Sequence, residues 1–303
     1  MFNRIKKKEH NTALLLFGIF TLSLAGTLIK LSHAGVYGIA FYRLFFAAVV
    51  VFLISPHTAM LEQIKAIKRR EFLWIILGAV VFSFHFLTWI YGLKTVSVFE
   101  GMVIVATNPI YTTIGAYFFF KEKPRGNFVP AFALAFIGTI FTFIEGVSRL
   151  NGDMTGMALM FLSTLFFSAY VLTGKKVRQK HNSNVYIFML YFFASMVCLG
   201  FILVLGEPLI SYTPRNYLFF LILALVPTVI GHGSLNHCVG HFRASTVSML
   251  TLLEPVVGSF AAYVALGEKI GVFSLTGFVM ICAGIGLLFK RELIGIFKKV
   301  FCR

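Results

Sequence analysis

The sequence predicts an all-α integral membrane protein, ten transmembrane helices in two inverted five-helix repeats, and three observations predict it. The chain is 58% hydrophobic and only 13% charged, with mean hydropathy +0.88, where a soluble domain carries about 25% charged residues. Lys and Arg gather in short segments between apolar runs, overwhelmingly on one side of the predicted bilayer. The second half of the chain repeats the first at a fixed offset.

The apolar runs come first. A spanning helix needs roughly 20 mostly apolar residues, and runs bounded by charge, Pro or Gly fall at 13–30, 37–54, 72–94, 97–119, 127–145, 155–173, 184–205, 217–239, 244–266 and 271–289. Basic Arg4, Lys6, Lys7 and Lys8 precede the first run, which continues past Gly26 without an A-x-A-like cleavage site, so it is expected to be a retained span. The connections are short, the longest being 55–71, and leave no room for an extramembrane domain. Cys198, Cys238, Cys282 and Cys302 show no CxxC spacing, and they are expected to be packing residues and not disulfides or metal ligands.

Orientation follows from charge. In the ten-span arrangement 21 of the 27 Lys and Arg fall on one side, in the two termini and the connections after the even-numbered spans. The other side holds Lys30, Lys94, Arg149, Arg215 and Lys269, and Arg43 lies within the second span. This asymmetry predicts cytoplasmic N- and C-termini in a multi-pass protein of the cell membrane, the inner membrane in a Gram-negative cell. The net charge of +16 is therefore matched to anionic headgroups. Nucleic acid is not an expected partner, because no soluble stretch is long enough to build a binding domain.

A shift of 146 positions brings Pro109 onto Pro255, Ala116 onto Ala262, Tyr117 onto Tyr263, Glu122-Lys123 onto Glu268-Lys269, Gly138 onto Gly284 and Phe143 onto Phe289 without a gap. It divides the chain into 1–146 and 147–303. Each half carries five helices, an odd number, so the halves must enter the membrane in opposite orientations. Inverted repeats of this kind give secondary transporters two access states and a site near the midplane at the repeat interface.

Asn108-Pro109 and Glu122-Lys123-Pro124 in the first half, and Leu253-Glu254-Pro255-Val256 and Gly267-Glu268-Lys269 in the second, resemble the EamA-type repeats of the drug/metabolite transporter superfamily. Tyr42-Arg43 and Leu93-Lys94-Thr95 fit the same pattern, and Lys121 stands where the second half has Gly267. The resemblance covers nearly the whole chain. It implies ten helices around a central cavity and transport of amino acids or other small metabolites, without specifying which.

Glu254 is the first candidate for chemistry, since it sits near the middle of 244–266. A charged acid at that depth costs about 2.5–3.5 kcal/mol or more, so it should face protein or a water-filled cavity. Pro255 lacks an N–H and leaves a carbonyl free for a ligand or ion. Asn108 stands at the equivalent place before Pro109 and cannot titrate. For both, the competing reading is structural: a neutral Glu bonded to a neighbouring helix, or side chains that cap the freed backbone.

Arg43, with Met189 at the offset position, must find an anion or several carbonyls. It could hold a substrate carboxylate or phosphate, snorkel to the headgroups, or pair with Glu254. His85 and Trp89 share a helix face, as do His232 and Asn236, and these are expected to line the cavity or else to be satisfied between helices. A metal at His232, His237 and His241 is not expected, because His232 and His241 point to opposite sides of a helix. Lys94, Glu100, Glu122, Lys123, Glu268 and Lys269 at helix ends are taken as landmarks of the fold.

An intramembrane enzyme fits poorly: the one aspartate, Asp153, lies in a loop, and the one G-x-S, Gly146 to Ser148, follows the fifth span. The expectation is a secondary transporter, an exporter coupled to protons, working without a cofactor as monomer or homodimer on a small-molecule metabolite. An uncoupled facilitator of the same fold is the competing reading.

Overall fold

The computed structural model describes residues 2–123, 127–147, 154–267, 272–288 and 290. Among these, every regular element is helical. In chain order they are α1 (Phe2–Ser23), α2 (Ala25–Leu31), α3 (Val36–Ile54), α4 (His57–Lys65), α5 (Arg69–Thr95), α6 (Val98–Val105), α7 (Asn108–Phe120), α8 (Phe128–Val147), α9 (Met154–Arg178) and α10 (Ser183–Leu205). There follow α11 (Pro214–Leu223), which runs through a π-helical stretch Ala224–His232 into α12 (Gly233–Val239), then α13 (Ala244–Leu250), a 3-10 turn Thr251–Leu253, α14 (Glu254–Leu266) and α15 (Val272–Leu288). Lys269, Asp153, Ser148, Arg149 and Glu268 lie outside the described residues.

Among the described residues seven helical stretches are long and apolar enough to cross a membrane: Glu9–Leu31, Val36–Ile54, Arg69–Thr95, Met154–Arg178, Ser183–Leu205, Pro214–Val239 and Ala244–Leu266. The segment expected as the fourth span is divided into α6 and α7 at Ala106–Thr107, directly before Asn108-Pro109. Its counterpart is divided by the 3-10 turn directly before Glu254-Pro255. A proline N–H is missing at each place, so the hydrogen-bond ladder cannot continue and the helix restarts with proline near its first position. The segment 55–71 is not a plain connection: it folds α4, which buries Met60 and exposes Leu61.

The core is built where α5 packs along α9 and α3 along α10, with α1 against the π-helical stretch, α12 and α14. The helices α8 and α15 pack along one another, and an apolar cluster around Ala131, Ala135 and Ile281 joins them to Ala106, Met249 and Leu252. Their contact is reciprocal: a Cβ on Gly138 would sit 2.5 Å from the Gly277 carbonyl, and one on Gly284 would sit 2.5 Å from the Ala131 carbonyl. The 146 offset exchanges both members of these contacts. Without a hydrophobic drive between helices in lipid, close backbone approach at small residues is what associates them.

Candidate functional site

One internal cavity is lined by Leu22 and Ala25 from the first span, Arg43 from α3, His85, Phe86 and Trp89 from α5, Val105 from α6, Phe167 from α9, His232 from the π-helical stretch and Glu254 from α14. Five of the seven candidates named from sequence, Arg43, His85, Trp89, His232 and Glu254, therefore meet at one place. Every one of the five is buried.

The Arg43 side chain is set by two neighbours. Its Nε donates to Thr228 Oγ1 at 2.6 Å, and its guanidinium carbon lies 4.3 Å from the centre of the Phe86 ring. Its Nη1 is buried with no partner. No ion pair joins Arg43 to Glu254 among the described residues, and no hydrogen bond satisfies the Glu254 carboxyl there. The structural pairing allowed by the sequence is thus not made. Burying a polar group without a partner is costly, and Arg43 Nη1 is such a group beside this cavity.

The π-helical stretch explains how Thr228 reaches this position. Pro227 has no N–H to give to the Leu223 carbonyl four residues earlier, and Thr228 Oγ1 donates to that carbonyl at 2.7 Å instead. The widened turn, of a kind common at functional sites, aims Thr228 at Arg43, while its own carbonyl accepts from Tyr191 Oη at 2.9 Å. Thr228→Val keeps the shape and removes the hydroxyl, leaving Arg43 Nε without its acceptor. A loss of about 1–3 kcal/mol for an orphaned buried group predicts a lower melting temperature of the purified protein in detergent. An unchanged melting temperature would show that Thr228 does not carry Arg43.

His85 is anchored through Nδ1, 2.8 Å from Ser163 Oγ and 3.1 Å from the Ser163 carbonyl. A carbonyl only accepts, so this nitrogen carries the proton. The His85 and Trp89 rings are stacked at 6.2 Å, as expected for residues four apart on one helix. His232 packs edge-on against Phe82 and Phe86, with Nδ1 unpartnered.

Asn108 and Asn236 do not line this cavity. Asn108, fully buried, accepts from Thr112 Oγ1 at 2.8 Å and from Ser168 Oγ at 2.7 Å, and its amide faces Thr251 Oγ1 at 3.5 Å. Asn236 donates to Tyr170 Oη at 2.5 Å and to the His232 carbonyl at 2.8 Å. The contrast between the two repeats has a local cause: four residues after Asn108 stands Thr112, and four residues after Glu254 stands Gly258, which has no hydroxyl to offer.

The cavity has a volume of about 30 Å³, room for about two waters and too little for an amino acid. A second cavity of about 310 Å³ between α5, α7 and α9 is larger, but its lining, Trp74, Leu77, Phe119, Leu172 and Lys176 among others, is mostly apolar and its rim residues Leu77 and Phe119 are exposed. It holds none of the candidate residues. No group of three His, Cys, Asp or Glu suited to a metal occurs among the described residues.

The sequence model of the EamA-like transporter family matches residues 12–144 and 154–290. An uncharacterised transporter of Clostridium kluyveri is 27% identical over 188 residues, 60% of each chain. A Salmonella typhimurium protein named as a probable amino-acid metabolite efflux pump is 28% identical over 195 residues, 60% of this chain and 64% of its own length. The matches thus span about three fifths of these curated relatives. A crystal structure 13% identical in sequence superposes with TM-score 0.75 over 94% of this chain and 99% of the other, a likeness of fold.

Proposed function

Because the chain belongs to the EamA-like transporter family, we propose that it is a proton-coupled secondary transporter that exports amino acids or related small metabolites by alternating access. The observation that carries this reading is the cavity in which Arg43 and Glu254 are both buried and neither is paired with the other. The Arg43 fork suits a carboxylate or phosphate, and Phe86, Trp89 and Phe167 offer apolar wall to the rest of an amphipathic molecule. Glu254 is the one acid in the lining, and it is the group assigned to take up and release the proton as the cavity opens to each side. Substrate and proton occupy the midplane site in alternation: substrate leaves to the outside, a proton is taken up from there, and the repeats rock back to release it to the cytoplasm. The names of relatives that export amino-acid metabolites support the substrate class.

The architecture in this reading is ten spans in two inverted repeats, 1–146 and 147–303, with Pro109 and Pro255 as paired helix breaks and both termini in the cytoplasm of a cell-membrane protein. The reciprocal glycine contacts of α8 and α15 favour it. Reporter fusions after Arg303 and within residues 62–70 should both report cytoplasm; an external signal from either removes the inverted arrangement.

The function is tested by counterflow of labelled amino acids in proteoliposomes, with and without a pH gradient. Exchange without a gradient and accumulation with one are expected. Exchange that the gradient never converts into accumulation would make the protein an uncoupled facilitator, and no exchange of any amino acid would remove the substrate class.

A further inference from the structure

Two lysines on opposite faces of the protein make the same bond to the tips of two helical hairpins. Lys175 Nζ, at the end of α9, donates to the Phe242 carbonyl at 2.6 Å, in the turn between α12 and α13. Lys30 Nζ, at the end of α2, donates to the Val96 carbonyl at 2.6 Å, in the turn between α5 and α6. The 146 offset takes Val96 onto Phe242 and brings Lys30 to within one residue of Lys175. On the cytoplasmic side of the charge-based orientation, Glu122 completes the arrangement. One carboxylate oxygen lies 3.1 Å from Lys175 Nζ and the other accepts from the Ala244 backbone N–H at 3.0 Å. Arg243 Nη1 donates to the Lys123 carbonyl at 3.1 Å alongside. The side chains of Lys175 and Glu122 are only 10% and 16% exposed.

We infer that Glu122, Lys175 and the 242–244 turn form the cytoplasmic latch of the transport cycle, and that Lys30 with the Val96 carbonyl is its counterpart on the external face. This rests on the transporter reading above. Each latched tip belongs to a hairpin that carries cavity residues: His85, Phe86, Trp89 and Val105 on the hairpin that turns at Val96, and His232 and Glu254 on the one that turns at Phe242. Releasing a tip would move one wall of the cavity and leave the other in place. Glu122 comes from the first half of the chain and Lys175 with the turn from the second, so the cytoplasmic latch ties the halves together where rocking must separate them. Both latches are closed in the structure, in agreement with a cavity of about 30 Å³. At either rim, water entering an opening vestibule can solvate the released lysine. Release is therefore far cheaper there than it would be in the bilayer core.

The test is the sidedness of labelling at the cavity. Val105→Cys, in a background where Cys198, Cys238, Cys282 and Cys302 are alanine, is reacted with a membrane-impermeant maleimide in right-side-out and inside-out vesicles. Glu122→Gln and Lys175→Met are expected to raise labelling from the cytoplasmic side about tenfold, the change for losing one charge-assisted contact, and to lower it from outside. Lys30→Met should do the reverse, and Lys175→Arg should label as the parent does. Folding of each variant is checked by a single peak in size-exclusion chromatography, and Lys175→Arg keeps the charge where Lys175→Met does not fold. Labelling unchanged in the folded variants, or raised equally from both sides, would make these contacts structural and overturn the inference. Labelling reads access and not substrate: a side-specific shift without amino-acid counterflow would uphold the latches and reject the substrate class.

Discussion

Glu254→Gln is expected to abolish gradient-driven accumulation of substrate while counterflow and ligand binding persist. Glutamine keeps the size of the side chain and its place in the cavity lining but cannot take up a proton. No other acid lines the cavity, and the equivalent residue in the first repeat, Asn108, is already an amide, held by Thr112 and Ser168. There is thus no second carboxyl at this depth to take over the task. The variant should equilibrate substrate across the membrane and stop there, and the pH dependence of its exchange should flatten. Accumulation equal to that of the parent, with the same pH profile, would make Glu254 a structural residue and move coupling elsewhere.

Arg43→Lys is expected to weaken a carboxylate substrate by about tenfold or more, although the charge is retained. The guanidinium does three things that an ammonium at that position does not: it gives Nε to Thr228, places its central carbon 4.3 Å from the centre of the Phe86 ring, and leaves Nη1 without a partner. Losing a hydrogen bond to a charged group costs about 1.5–3 kcal/mol, and each 1.4 kcal/mol is a factor of ten. The control is an amide analogue of the same substrate, which has no carboxylate to lose and should bind parent and variant within about a factor of two or three. Equal weakening of acid and amide would mean that Arg43 shapes the cavity without reading the anion.

How far the site was legible in the sequence depended on the kind of residue. Arg43 and Glu254 stand out because charge within a span is expensive and needs a reason. His85, Trp89 and His232 follow from helical spacing, which places them on inward faces. The apolar lining did not stand out: Phe86 and Phe167 are two of 36 phenylalanines, and composition does not distinguish those that face the cavity from those that face lipid. Thr228 was missed although Pro227 marked it, since a proline inside a span asks which group takes the orphaned carbonyl, and the adjacent threonine is the nearest answer. Asn108 was grouped with the cavity residues because it precedes Pro109 as Glu254 precedes Pro255, and Asn236 because it shares a helix face with His232. Thr112, four residues along, was the sign that Asn108 had a local partner.

The fold was legible where signals are local, in apolar runs and in prolines that interrupt them. The short helix α4 was not, being too short to show a clear period. Glu122 was read as a landmark at a helix end because its partners, Lys175 and Ala244, lie 53 and 122 residues away. Only the packed structure brings them together.

The claim on which the account stands is that substrate occupies the cavity between Arg43 and Glu254. It is tested most directly by the labelling rate of Val105→Cys at increasing substrate concentration. The account predicts a saturable slowing, half-complete at the concentration that half-saturates counterflow in the same proteoliposomes, and lost in Arg43→Lys at that concentration. A labelling rate that stays constant while counterflow saturates would place the substrate elsewhere and contradict the account.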